Sequence, residues 1–289
     1  MSDSKPWTEI EIHDWAEFDQ QMNGLKQREW LYRGQSDINW DLSTPIERLF
    51  VDLRPIIRSA KGVLRKFAKK EQERLLVRTF QKSANLYLSS LPERAKTLEW
   101  LAIMQHYGTP TRLLDTTLSP HIALYFAMES GSGDSCIFAF DHVKLKEQNR
   151  IKLQNKTYKQ IYNSYFVHAP RPNDDDSDQL YNANLQNDEF ITFFTPEQSN
   201  ERLLVQQGSF LVPSTLDRSL EELLETYKQD LIANVCIKFI IPAKLRYEGI
   251  ERLRRMNITS ATLFPGIDGF CKSLKFQVLE TTGNQRLFE

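Results

Sequence analysis

Three short segments mix charged, hydroxyl and glycine residues where a plain core would use apolar ones: Tyr32-Arg33-Gly34-Gln35, Gln105 to Thr117, and Asn200 to Phe210. The first sets a guanidinium beside a glycine, whose missing side chain lets a ligand approach the backbone. Taken alone, an Arg so placed more often pairs with a carboxylate of the core. The second segment holds His106, Tyr107, Thr111, Arg112, Asp115, Thr116 and Thr117. Such a set can clamp phosphates and order sugar hydroxyls, or it can close a local turn in which Asp115 pairs with Arg112 and a threonine bonds nearby backbone. The third offers Glu201, Arg202 and Gln206. Glu201 can compensate a developing positive charge, whereas the amide of Gln206 can only position a group.

These residues have to be held by the elements around them. Asp14 to Met22 reads as a helix with Trp15 and Phe18 on one face and Gly24 at its close. Trp30 to Arg33 reads as a short buried strand ended by Gly34, which puts Arg33 at a strand end. A helical pattern runs from Arg54 to about Tyr87, a second helix from Pro92 to Tyr107, and a third opens at Ser119-Pro120 with Ser as cap and Pro in the first turn. Strands are expected at Ser135 to Asp141, Glu189 to Phe194, Ser209 to Val212 and Asn234 to Ile241. Leu203 to Val205 also reads as strand, so alternation would set Glu201 and Gln206 on opposite faces, with only one of them in a pocket. Helices and strands interleave without a βαβ rhythm, which favours an α+β class and a single domain over residues 1–289, with its core at about 30–275. Residues 170–188, rich in Asp and Asn, read as a mobile acidic loop.

Bulk properties exclude several classes. The chain has 289 residues, 40% of them hydrophobic and 26% charged, with a net charge of −1. That is the range of an ordinary globular protein without a global bias toward nucleic acid. The charge is uneven: Arg54 to Arg78 carries nine Lys/Arg against two Glu, or +7, with Arg54, Arg58, Lys61, Arg65 and Lys69 along one helix side. This face suits RNA, DNA or an acidic protein partner. No leader-like or membrane-spanning run occurs, and Cys136, Cys236 and Cys271 each sit among apolar neighbours as free thiols would, so a cytoplasmic location is expected. His106 and His121 lack the spacing of a metal site, and no metal is expected. Of the five tryptophans, Trp40 alone lies close enough to the motifs to stack a ring.

The order of the segments resembles the FRG-domain family: Tyr32-Arg33-Gly34-Gln35-Ser36-Asp37, then Gln105-His106-Tyr107-Gly108 with Pro110 to Asp115, then Ala123 to Ala127, then Arg202, Gln206 and Gly208, and finally Leu263-Phe264-Pro265-Gly266. The likeness runs from about Trp30 to Lys275. A second similarity is to ADP-ribosyltransferases of the Arg-Ser-Glu type, which carry an Arg on a first strand, a Ser-Thr-Ser strand leading into an Ala-rich helix, and a late Glu on a strand. Arg33, Asp115-Thr116-Thr117 and the stretch Glu201 to Gly208 follow that order, with Asp115 in place of the first Ser. The resemblance implies a split, curved β-sheet with surrounding helices. It implies transfer of ADP-ribose from NAD onto RNA, DNA or protein, as in toxins or phage-defence effectors that have a neutralising antitoxin protein. Catalytic candidates are Asp115, Glu201, Arg202 and Gln206, and NAD-binding candidates are Arg33, Gly34, Gln35, His106, Tyr107, Thr111, Arg112 and Thr116. The rival readings are a catalytically inactive nucleotide- or nucleic-acid-binding module and an NAD glycohydrolase.

Overall fold

A computed structural model describes residues 5–26, 29–59, 69–153, 189–197, 200–227 and 235–274. It is a mixed α/β structure built on one seven-stranded sheet. The strands are β1 (Thr8–Glu11), β2 (Trp30–Gln35), β3 (Leu114–Thr117), β4 (Ser135–Asp141), β5 (Ile191–Phe194), β6 (Gly208–Pro213) and β7 (Cys236–Ile241), in the order β1-β7-β4-β2-β3-β6-β5. Only β1 and β7 run parallel among the paired neighbours.

Pairing strength varies sharply along the sheet. β2 and β4 share six registered pairs, and β3 and β6 share four, but β2 and β3 share one, Tyr32 opposite Thr117. The ladder is therefore interrupted between β1-β7-β4-β2 and β3-β6-β5.

Alternation along the strands divides the core into layers. Trp30 and Tyr32 join Phe18, Ala123, Phe239 and Leu253, the cluster formed with helices α1 (Trp15–Gly24), α5 (Pro120–Met128) and α9 (Arg246–Arg255). Leu31 lies on the opposite face with Phe138, Leu211 and Leu223, under α6 (His142–Lys152) and α8 (Leu220–Glu225). Beside the first cluster, α3 (Lys69–Ser83) and α4 (Thr97–His106) pack Val77, Trp100 and Leu101 against Phe194, Phe210 and Val212 of β5 and β6.

Several local expectations hold. The helix expected at Asp14 to Met22 is α1, with Asp14 accepting from Glu17 N as its cap, and Ser119 caps α5 through Ile122 N with Pro in the first turn, as expected. Within the helical stretch expected from Arg54 to about Tyr87, α2 (Pro45–Ser59) and α3 are described and residues 60–68 lie outside the described residues, while α4 starts at Thr97 rather than Pro92. β2 does not stop at Gly34 but continues to Gln35, because Gly34 faces α5: a Cβ there would stand 1.9 Å from Ala123 O and 2.6 Å from Ala127 N. This glycine admits a helix backbone, which corrects its reading as a place for ligand approach.

The segment Glu201–Val205 is a helix, α7, and not a strand. Asn200 accepts from Leu203 N and starts it, and Gln207, at φ 47°, turns the chain into β6. Strand alternation therefore does not decide between Glu201 and Gln206. The loop 170–188 lies outside the described residues, as do Lys61, Arg65 and the side chains of Arg54 and Arg58. Lys69 is described, and its Nζ donates 2.9 Å to Leu216 O instead of standing on an open basic face.

Candidate functional site

Segments far apart in sequence meet at one cleft of about 350 Å³, walled by Gln105, His106, Tyr107, Asp115, Arg202 and Gln206. α4 delivers Gln105 and His106 at its last turn. β3 presents Asp115 on the face shared with its cross-strand neighbour Phe210. α7 and the turn after it deliver Arg202 and Gln206. A fourth motif closes the wall: Gln206 Nε2 donates 2.9 Å to Leu263 O, and the Arg202 guanidinium lies 4.8 Å over the ring of Phe264, next to the short helix α10 (Ser260–Leu263). Lys272 Nζ stands 4.8 Å from the same ring.

Asp115 is held from two sides. Gln105 Nε2 donates 2.9 Å to its carboxylate, and the Gln105 carbonyl accepts from the Thr111 hydroxyl, so a buried threonine fixes the amide that fixes the acid. Arg33 Nη1 donates 2.8 Å to the Asp115 carbonyl oxygen. The carboxylate itself is exposed to the cleft. Thr117, two residues on, donates 2.7 Å to Gln206 O and ties β3 to the turn of the third segment.

The His106 imidazole has no hydrogen bond among the described residues and packs edge-on against Tyr107, with ring centroids 4.9 Å apart. Burial and the Arg202 guanidinium hold its pKa below the usual imidazole value. Tyr107 is 61% exposed, so a large aromatic face stands open at the cleft mouth.

Other expected site residues are placed elsewhere. Arg112 is buried and forks onto Glu73 of α3, with Nε 2.8 Å from Oε2, while Nη1 bonds the carbonyls of Pro213 and Ser214. Its donors are spent on the core, which corrects both its assignment to a pyrophosphate and the alternative pairing with Asp115. Thr111 is consumed in the Gln105 contact. Thr116 is buried on the far face, and its hydroxyl has no partner among the described residues. Glu201 is exposed and does not line the cleft.

Arg33 and Gln35 follow Leu31 in parity and open on the other side of the sheet. They line a second cleft of about 1020 Å³ with Trp40, Glu47, Lys69 and Glu221. Gln35 is buried, its amide donating 3.3 Å to Asp41 O. Arg33 Nε is buried without a partner among the described residues. The structure thus separates Arg33 from the site that holds Asp115, although the two touch through the backbone.

Sequence reasoning missed Gln105 as the residue that orients Asp115, and Glu73 as the partner of Arg112. Gln105 was visible as part of the second motif. Glu73, 39 residues from Arg112, carried no local signal. Cys136 and Cys236 are buried free thiols, whereas Cys271 is exposed. Among the described residues no group of His, Cys, Asp and Glu is arranged to hold a metal ion, and no helix is long and apolar enough to cross a membrane.

The FRG domain family model matches residues 28–135. That span contains β2, the Gln105 to Thr117 segment and α5, while Arg202, Gln206 and Leu263 lie beyond it. No curated protein and no solved structure matches the chain.

Proposed function

In a chain that carries an FRG domain, we propose that the Asp115 cleft cleaves NAD and transfers its ADP-ribose to a macromolecule. One observation carries this reading: the Asp115 carboxylate, oriented by Gln105, shares a cleft with Arg202 and Gln206. Loss of nicotinamide from NAD passes through a ribosyl cation. A fixed carboxylate stabilises that cation, and a guanidinium holds the adjacent pyrophosphate. Here Asp115 does the first and Arg202 the second. The reading leaves Arg33 as a residue that positions Asp115.

The sheet supports the resemblance to Arg-Ser-Glu transferases. The Arg-bearing strand β2, the Asp115-Thr116-Thr117 strand β3 and the late strand β6 are consecutive neighbours, α5 follows β3, and the ladder breaks between β2 and β3. A split sheet of the transferase kind is the finer fold we propose on that ground.

A second reading, a nucleotide-binding module without turnover, is favoured by β6 itself, since Gly208–Pro213 contains no carboxylate. Incubating the protein with NAD labelled in both halves, with and without cellular RNA and protein, separates the readings. Nicotinamide release with label on a macromolecule supports transfer, and release without transfer identifies a glycohydrolase. Binding without release leaves the module.

A further inference from the structure

The Asp115 cleft holds two side chains to which the proposed cleavage step assigns no role. His106 and Tyr107 end α4 at the cleft mouth, beside Asp115 yet outside its hydrogen bonds. The imidazole makes no hydrogen bond among the described residues, and the Tyr107 ring is 61% exposed. An exposed aromatic face beside an uncommitted base is the arrangement that receives a flat, proton-bearing nucleophile. Resting on the transferase reading above, we propose that this is the acceptor subsite: Tyr107 stacks an unpaired nucleobase of single-stranded nucleic acid, and His106 takes the proton from its attacking ring nitrogen.

The step balances without a further reactant. The nicotinamide–ribose C–N bond breaks, and its electron pair leaves with nicotinamide, which becomes neutral. The base nitrogen forms the new C–N bond to the ribose carbon, and its proton goes to the His106 imidazole and then to water. A protonated imidazole could not accept that proton. Burial and Arg202 both keep the ring in its neutral form. The titratable and charged groups that share the cleft with it are Arg202 of α7, Asp115 of β3, Tyr107, and Glu99 of α4, whose carboxylate accepts 2.9 Å from Glu197 N.

Charge at the rim favours a nucleic acid over a basic peptide. Arg202 and Lys272 both stand over Phe264, so with Arg202 on the NAD pyrophosphate, Lys272 is left for a phosphate flanking a stacked base. A guanidinium or ammonium nucleophile would meet the positive charge of Arg202.

The test uses a single-stranded RNA or DNA oligonucleotide and NAD labelled in its adenosine half, scoring oligonucleotide label and free nicotinamide separately from pH 5 to 8. Wild type is expected to label the oligonucleotide faster as pH rises. His106→Gln should lower that labelling by about 10²-fold and flatten its pH profile, a larger loss than any it causes in nicotinamide release, because water can trap the cation unaided. Tyr107→Ala should raise the KM for oligonucleotide by about tenfold, and Tyr107→Phe should restore it. Both side chains are exposed, and thermal midpoints should stay at the wild-type value. Label appearing on protein instead of the oligonucleotide overturns the inference, as does a His106→Gln protein with wild-type labelling and pH profile. If wild type releases no nicotinamide, the transferase reading falls and this subsite falls with it. Labelling that depends on Asp115 but not on His106 removes the subsite alone.

Discussion

The guanidinium of Arg33 reaches the carbonyl oxygen of Asp115 at 2.8 Å, just beyond the last residue pair that joins β2 to β3. A side chain thus continues a connection that the backbone ladder has dropped. Because Arg33 leaves the opposite face of the sheet from the Asp115 carboxylate, its pull acts on the strand and not on a ligand in the Asp115 cleft.

Arg33→Ala should therefore cost stability more than NAD affinity. The loss of a charged hydrogen bond at a partly exposed site is expected near the low end of about 1.5–3 kcal/mol, read by urea unfolding. Calorimetry should find NAD binding weakened less than tenfold. A variant as stable as wild type would show the contact to be idle.

Asp115 and Glu201 should behave differently. Asp115→Asn keeps the shape and the Gln105 neighbour but removes the charge, and nicotinamide release should fall by about 10²–10³-fold with the KM for NAD nearly unchanged. Glu201→Gln, on the exposed side of α7, should stay within twofold of wild type. Equal activity of both variants would remove the carboxylate chemistry from this cleft.

Gly34 is expected to tolerate nothing larger. The 1.9 Å approach to Ala123 O is to helix backbone, which cannot swing aside as a side chain can. Gly34→Ala should destabilise the protein by more than about 3 kcal/mol, beyond the usual cost of overpacking. Gly133→Ala, where a Cβ would meet nothing within 4 Å, is the control and should match wild type in the same denaturant titration.

Stability should rise with pH through the imidazole range. His121 packs edge-on against Phe18, and burial, with Arg252 adding to it, depresses its pKa; His106 is depressed as well. A base with a lowered folded-state pKa binds fewer protons folded than unfolded, so stability is full above the unfolded value of 6.5 and declines as pH falls below it. Thermal midpoints from pH 5 to 7.5 should show that slope, and His121→Phe should make it shallower. An unchanged slope would place the proton uptake elsewhere.

What the sequence revealed was mostly local. Asp14 and Ser119 declare helix starts by side chain alone, and Ser135–Asp141, rich in apolar and aromatic residues, is the strand its pattern predicts. α7 went unread because five residues with Leu-Leu-Val at their end satisfy a strand pattern as well as a helix, and only the Asn200 cap separates the two. The cleft was legible as a set of motifs, since Gln105 to Asp115 and Arg202 to Gln206 do converge. Its membership was not. Which face Arg33 leaves depends on strand register, and where Arg112 points depends on Glu73 on another helix, both of them long-range facts that no window of sequence contains.

A sheet joined across its middle by Tyr32 and Thr117 alone has a seam. Elsewhere, parting two strands means breaking four or six pairs at once; here it means breaking one, together with the Arg33 bridge. The amides flanking that line lack the cooperative protection of a full ladder, so in deuterated solvent they should exchange ahead of those between β2 and β4. The residues that line the Asp115 cleft stand on the β3-β6-β5 side of that line, so small shifts of the two halves against each other are expected to leave the cleft intact.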